Sequence, residues 1–591
     1  MRWPLRLESR QGLFLVLVIL LSAFLSACGA AQNFLEGIQL TSPATTITPT
    51  PFQPLSPDTP TPLADVQLTY SPTDTPESPQ PTPEPTETPQ PITAIPGNSV
   101  WIAPYVPAQL REGINLPDGF SSVESPGTGQ VNLEVSDQQP VSHWIYALVA
   151  PFPTITDQVS VRDLKQSWKG NPNGPFSGQP LLMDESTYGV LTTWWGDPGS
   201  DSTRILPSGD LLDIAWDQRP SWAIVPFESL DPGWKVIAID DQSPLRKEFD
   251  PDSYALSVPF SLMGDSSLVA ELQSNSSLPA TNRDASQLTT VAMTGVTALV
   301  RATAFSMHRN GITYPARDIG QVLRSADLTH ISNEIPFTPD CPPPNPVQEG
   351  LRFCSDPDYI ALLEEVGTDV VELTGDHFGD WGPEAMLYTL DMYEQRDWTY
   401  YGGGYDRKDA RQARQIEHNG NKIAFIGCNA KGGGYATASE SQPGAVACDF
   451  DWMQTEIARL TEAGYQVIAT FQHFEYYTYT AQPNQVRDSR LLAEAGASIV
   501  SGSQAHQPQG LEFYKNAFIH YGLGNLFFDQ YHFCTDYACD DGFIDLHVFY
   551  DGEYIGSELV TIVFEDYARP RLTSQEERSE LLQKVFSASS W

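Results

Sequence analysis

The sequence predicts an α/β protein with two folded regions, and three observations predict it. Short β-rich apolar runs alternate with stretches of helical period, as strands crossed over by helices do. In the C-terminal half these runs end in polar clusters carrying carboxylates or imidazoles, where open α/β sheets collect reactive side chains. At 591 residues the chain has room for more than one core.

The chain begins with a targeting pattern. Arg2, Arg6 and Arg10 precede an apolar run from Leu13 to Ala27, short for a membrane span and suited to a signal segment. The run ends Leu25-Ser26-Ala27-Cys28, which resembles a bacterial lipobox and marks Cys28 as the lipidation site, with residues 1–28 as the leader. Residues 29–97, rich in Pro, Thr and Ser from about 41 onward, cannot bury enough apolar surface to offset their ordering entropy. They read as an extended stalk.

Residues 98–280 read as an α/β accessory domain. Trp144 to Phe152 is a buried strand. Ser160 caps a helix with Val161, Leu164 and Trp168 on one face, stopped at Gly170. Tyr188 to Trp195, aromatic and β-branched, reads as a further strand, and Trp222 to Phe227 and Trp234 to Ile239 flank an Asp-Pro-Gly turn. Ala150 to Thr154, Val161 to Gly170 and Trp222 to Phe227 faintly resemble a lobe of a phosphate-type periplasmic binding protein. Residues 281–287 form a polar joint.

The second region, 288–570, carries strands at Leu288–Met293, Leu328–Ile331, Val370–Leu373, Ile423–Ile426, Val467–Phe471, Ser498–Val500 and Phe518–Tyr521. Helical patterns fall at Pro357–Val366, after Pro383, and at Trp452–Ala463. Residues 571–591 close the chain with an amphipathic helix over Ser574 to Phe586.

Charge is lopsided, with 33 Lys and Arg against 74 Asp and Glu, net −41. Such a surface repels phosphate backbones and argues against nucleic-acid binding. Six cysteines follow Cys28, an even number that suits disulfides outside the cytoplasm. Nearest neighbours in sequence would pair Cys341 with Cys354, Cys428 with Cys448 and Cys534 with Cys539.

The clusters after the second region's strands read Thr294-Gly295-Val296 with Arg301; Ser332-Asn333-Glu334-Ile335-Pro336; Gly375-Asp376-His377-Phe378-Gly379-Asp380; Gln472-His473-Phe474-Glu475; Gly502-Ser503-Gln504-Ala505-His506; and Tyr521-Gly522-Leu523-Gly524-Asn525 to Asp529. Carboxylates and imidazoles at successive strand ends suit a hard or borderline metal. In this order they resemble the CapA family of capsule and poly-γ-glutamate biosynthesis proteins, whose pattern runs T-G-D, N-L-E-x-P, N-N-H-x-x-D, H-x-G-x-E, G-x-H-P-H and Y-S-L-G-N-F.

The resemblance implies a calcineurin-like four-layer α/β/β/α sandwich with a site for two metals bridged by a carboxylate. The sequence departs from the pattern at Val296, in place of the family's Asp, and at Gln504, in place of a His. What remains implies one metal rather than two, held by Glu334, Asp376 and His473 with His506 close by. Zinc, manganese and iron all tolerate such a set. His377 would be the general acid, oriented by Asp380, with Arg301, Glu475 and Asn525 on the substrate side. The glycine runs after Tyr401 and Lys431 lack a P-loop's lysine and serine and read as loops.

The expectation is a lipid-anchored, extracytoplasmic bacterial protein of capsule or poly-γ-glutamate synthesis or export, with metal-dependent hydrolase chemistry. Its implied partners are the membrane, a polymer synthase or export complex, and an anionic polymer or phosphoester. The alternative is a non-catalytic surface binding lipoprotein or a scaffold subunit of a polymer synthase.

Overall fold

The computed structural model describes residues 98–125, 128–432, 434, 436–530 and 538–591. The leader, Cys28, the stalk and Cys534 lie outside these. The described residues all fall within one compact unit.

The first region is a mixed sheet with helices against it. Its strands lie in the order Phe120–Val123, Asn98–Ile102, Val131–Val135, Ser257–Gly264, Ser142–Pro151, Trp222–Pro226, Leu181–Met183 and Thr203–Ile205, with Trp234–Val236 also beside Ser142–Pro151. The helix Val161–Trp168 forms as its sequence predicts. The Ser160 hydroxyl accepts from the Asp163 amide, and Gly170 takes φ +80° just past the end.

Tyr188 to Trp195 differs from expectation. It belongs to the helix Glu185–Trp195, capped by Asp184, whose carboxylate accepts from the Thr187 amide at 2.7 Å. The residues it buries are Thr187, Val190 and Leu191, spaced three and one apart. That is helical period, and it prevails over the aromatic and β-branched content that suggests a strand.

The second region is four layers, and the alternation of apolar residues along its strands builds them. One sheet runs Thr399–Tyr401, Thr368–Glu372, Leu328–Asn333, Leu288–Thr294, Asp541–Tyr550, Glu553–Phe564 and Pro570–Leu572. The other runs Arg414–His418, Asn421–Asn429, Gln466–Gln472, Ile499–Ser501, Ala517–His520 and Leu511–Tyr514. Ala292, Ile331 and Val371 pack under the helices that include Gly382–Glu394. Their neighbours Val291, Met293 and Val370 face the other sheet and meet Ile423, Phe425, Ile468 and Phe518. Ala424, Ile426, Val467 and Ala469 point out again, under Phe450–Glu462 and Pro483–Glu494. Period-two strands sandwiched between helices leave no other arrangement of these faces.

The strands expected in this region form with boundaries shifted by a few residues, and the closing helix is Gln575–Ser587, opened by a Ser574–Glu577 capping box. The Pro357–Val366 pattern splits into a 3₁₀ turn, Pro357–Tyr359, and the helix Ile360–Glu365.

The segment 281–287 is packed rather than open. Arg283 is buried; its guanidinium donates to the carbonyls of Pro244 and Arg246 at 2.6 and 2.7 Å and lies over the Phe249 ring. The core of the first region also takes in Leu288, Val548 and Ile555 from the second. In the other direction Phe152 enters the second region's inter-sheet layer, edge-on to Phe513 and Phe518. Among the described residues, disulfides join Cys341 to Cys354 and Cys428 to Cys448. Among the described residues no helix is long and apolar enough to cross a membrane.

Candidate functional site

The parallel strands of both sheets deliver their carboxyl ends to one place. Glu334 follows Leu328–Asn333, Asp376 and His377 follow Thr368–Glu372, Lys431 follows Asn421–Asn429, and His506 follows Ile499–Ser501. Gly375 makes the approach possible: a Cβ there would stand 2.7 Å from the Glu334 carbonyl oxygen. Ligand atoms of Glu334, Asp376 and His377 all lie within 4.8 Å of one another, a cluster able to hold a cation.

Glu334 is buried, and its Oε1 has no hydrogen-bond partner among the described residues. Burial raises its pKa, against the pull of His506 and His377. His506 sets its Nδ1 2.8 Å from the Asn525 side-chain oxygen, which leaves Nε2 facing Glu334 and Glu475 at 4.0 and 3.9 Å. An imidazole oriented through its other nitrogen is how proteins present histidine to a metal. Asn525 therefore acts through His506.

His377 Nδ1 lies 2.8 Å from Asp380 Oδ2, which also accepts from the Phe353 amide, and the Phe353 ring lies against the imidazole. Burial opposes the charged form of His377, but Asp380, Glu334 and Asp376 outweigh it and lift the pKa to about 9. Arg301 holds φ +53° and is buried, with its guanidinium 4.4 Å from the Phe353 ring centre and one nitrogen 3.2 Å from Gln530 Oε1. From Gln530 hydrogen bonds run through Tyr477 to Glu475, whose Oε1 lies 3.1 Å from Lys431 Nζ. Burial pushes the Glu475 carboxyl up, yet His506, Lys431 and Tyr477 hold it at about 2.

Lys431 is the residue sequence reasoning missed. Its Nζ sits 2.8 Å from Asp376 Oδ2, while Asp376 Oδ1 accepts from Gln472 Nε2 at 2.8 Å. Asn429 secures this corner, donating to the Thr374 carbonyl and to Gln472 Oε1. The available signal was position: Lys431 stands two residues past the end of a buried strand, the same place that singles out the carboxylates.

The structure does not bring His473 to this cluster. Its Nε2 lies 3.1 Å from Asp488, on the helix Pro483–Glu494, and its ring packs against Phe471. Strand parity is the reason. Val467, Ala469 and Phe471 face the helices, so His473 continues on their side and Gln472 turns to Asp376. The set of carboxylates and imidazoles facing the cluster is thus Glu334, Asp376, His377 and His506, with Glu475 beside His506.

The two departures are accommodated by packing and hydrogen bonding. Val296 is buried with Ala298, Val300, Ile335, Phe353 and Phe528 in a small apolar cluster. Gln504 donates to the Ser332 hydroxyl at 2.6 Å. The orphaned Glu334 oxygen belongs with Asp376 and His377 to the group that could hold a cation, and Val296 itself offers no ligand atom. Beneath the cluster, between the sheets, Glu372 is held ionised by His330, Ser503 and Thr374 despite its burial.

Residues 268–530 match the family described as bacterial capsule synthesis protein, PGA_cap. The second region carries this similarity to the CapA family. It is 24% identical over 257 residues to the capsule biosynthesis protein CapA of Bacillus anthracis, a match covering 43% of this chain and 62% of that protein. It is 26% identical over 182 residues to the PGA biosynthesis protein CapA of Bacillus subtilis, covering 30% and 48%. The chain thus spans between about half and three fifths of the length of these two relatives. Among solved structures, the NAD nucleotidase of Haemophilus influenzae matches at 11% identity over 47% of this chain and 51% of that one, with a TM-score of 0.26. The four-layer order of the CapA-type domain is calcineurin-like.

Proposed function

We propose that the protein serves synthesis, export or anchoring of a capsule-type anionic polymer outside the cytoplasm, held at a bacterial membrane by a lipid on Cys28. In this reading the CapA-type domain binds one divalent ion, zinc, manganese or iron, and hydrolyses a phosphoester or the polymer itself, in company with a membrane synthase or export complex. The observation that carries it is the convergence of the Glu334 and Asp376 carboxylates at strand ends, with His377 beside them, within the family-matched segment.

A divalent ion bound there would polarise an ester and acidify a water. The chain's own groups do the rest. Asp380 fixes His377 through Nδ1 and leaves Nε2 as the proton donor to a leaving oxygen. The Asp380 carboxylate at Nδ1 favours the protonated imidazole that such a donor requires. Arg301 supplies positive charge for an anionic ester, and Phe353 walls the imidazole from water.

The test is metal stoichiometry by elemental analysis after reconstitution with excess zinc, manganese or iron, alongside hydrolysis of an aryl phosphodiester. One equivalent is expected, with sharp loss in Asp376→Ala and Glu334→Gln. His377→Ala should keep the metal and lose turnover by about 10²–10⁴-fold. Protein that stays metal-free under all three conditions rejects the hydrolase. Cys28→Ser should release the protein from the membrane fraction; unaltered fractionation rejects the anchor. The second reading, a non-catalytic binding or scaffold subunit, has one observation in its favour: Lys431 already pairs with Asp376 and Glu475.

A further inference from the structure

We propose that Lys431 is a built-in competitor for the metal: its ammonium occupies the cation position between Asp376 and Glu475, and a divalent ion binds there only when this side chain leaves. The inference rests on the metal reading above and adds a control on the same site.

The geometry is that of a bound cation. Nζ lies 2.8 Å from Asp376 Oδ2 and 3.1 Å from Glu475 Oε1, and the lysine side chain is only 10% exposed. Asp376 Oδ1 is meanwhile taken by Gln472. The ammonium thus claims the carboxylate oxygen that a metal at the Glu334–Asp376–His377 cluster would use. A divalent ion a few ångströms from an ammonium in a buried site is strongly repelled.

The occupation is incomplete. Lys431 satisfies two acids and leaves the third, Glu334, with an unpartnered buried oxygen. His506 Nε2 faces Glu334 and Glu475 without a hydrogen bond to either. Buried polar atoms in that condition are costly, and a divalent ion at the Glu334–Asp376–His377 group would satisfy the Glu334 oxygen.

The residues around Lys431 limit what can move. The Lys431 amide is tied to Asn429 Oδ1 at 2.9 Å, so the backbone entering the loop is fixed. Beyond it, Gly432 and Gly434 hold φ of +100° and +108°, with open space where a Cβ would stand. With its amide tied, it is the Lys431 side chain that must move for an ion to reach Asp376.

The experiment is calorimetric titration of manganese and zinc into the full-length protein in detergent, as wild type, Lys431→Met and Lys431→Arg. Removing the ammonium should tighten binding at least about tenfold, the scale of one nearby like charge at a partly buried site. Lys431→Arg keeps the charge and should bind no more tightly than wild type. Should Lys431→Met not fold, Lys431→Gln keeps a hydrogen bond to Asp376 without the charge and carries the same expectation. Equal, tight binding by wild type and the neutral variants overturns the competitor and leaves the metal reading intact. No binding by any variant overturns both. Tight binding by Lys431→Arg alone among the variants also refutes the competitor, since the charge would then not be what excludes the ion.

Discussion

Phe152 is the side chain that most directly tests whether the two regions stand or fall together. It follows directly on the strand Ser142–Pro151 of the first region yet packs into the second region's inter-sheet layer, 2% exposed, with ring centres 5.2 and 5.4 Å from Phe513 and Phe518 in edge-on geometry. Truncation to alanine removes a buried ring, which costs about 3–5 kcal/mol, and two aromatic pairs that contribute roughly 0.5–1.5 kcal/mol each within that total. Phe152 also lines a cavity of about 260 Å³, so the ring's space opens onto existing room instead of collapsing. A space that does not collapse adds a cavity cost to the lost burial, so we expect about 4–5 kcal/mol for Phe152→Ala, at the upper part of that range. The assay is equilibrium urea unfolding followed by tryptophan fluorescence, with Phe176→Ala, buried wholly within the first region, as a matched control. Both variants should lower one shared transition. A loss under about 1 kcal/mol for Phe152→Ala, or two separate transitions of which Phe176→Ala shifts only one, would refute the reasoning.

Three further outcomes are expected. His547 is buried, and desolvation outweighs the pull of Asp545 to lower its pKa from 6.5 to about 4. The unfolded chain then binds a proton below pH 6.5 that the folded one refuses until about 4, so stability falls as pH falls through that window, by up to roughly 3 kcal/mol. His547→Gln should flatten this part of a urea-midpoint profile, and an unchanged slope would exclude the histidine as its source. Gly375→Ala should force the Glu334 and Asp376 segments apart, costing about 1–3 kcal/mol in a denaturant melt and at least about tenfold in manganese affinity; an unaltered titration would show the contact to be slack. Replacing Cys341 and Cys354 by serine opens a loop whose ends are 13 residues apart, and should cost about 2–4 kcal/mol in a thermal or urea melt; a smaller loss would mean that Phe353 and Arg352, bonded to Asp380, already fix the loop.

Much of the architecture was legible because burial leaves a period in the sequence. Val291 and Ala292, or Phe425 and Ile426, alternate between two apolar environments, so these strands announce themselves even without knowledge of what covers each face. The cation cluster was legible in part for a related reason: Glu334, Asp376 and His506 stand just past strands, where topology collects side chains. His473 shows the limit. Motif spacing placed it with Asp376, whereas parity along Val467, Ala469 and Phe471 places it with Asp488. Lys431 was invisible for a different reason. Its meaning depends on a contact with Asp376, 55 residues earlier, and a lysine before a glycine-rich loop carries no local sign of that partner. Tyr188 to Trp195 misled because aromatic content is shared by strands and buried helices, and only the spacing of what is buried separates them.

The way the first region's core is completed bears on how the chain can be made. Its apolar interior is closed by Val548 and Ile555, which belong to a hairpin reached about 300 residues after the strand Trp234–Val236, and closing so long a loop is entropically slow. A growing chain therefore has its first sheet assembled long before the last wall of that sheet's core exists. Until Asp541–Tyr550 and Glu553–Phe564 emerge and dock, with Tyr550 against Phe227 and Glu558 against Arg246, an apolar flank stays open to other chains or to a chaperone. Premature termination anywhere before Asp541 would thus harm the part of the protein already synthesised, and fragments ending there should be found aggregated or holdase-bound rather than as free accessory domains.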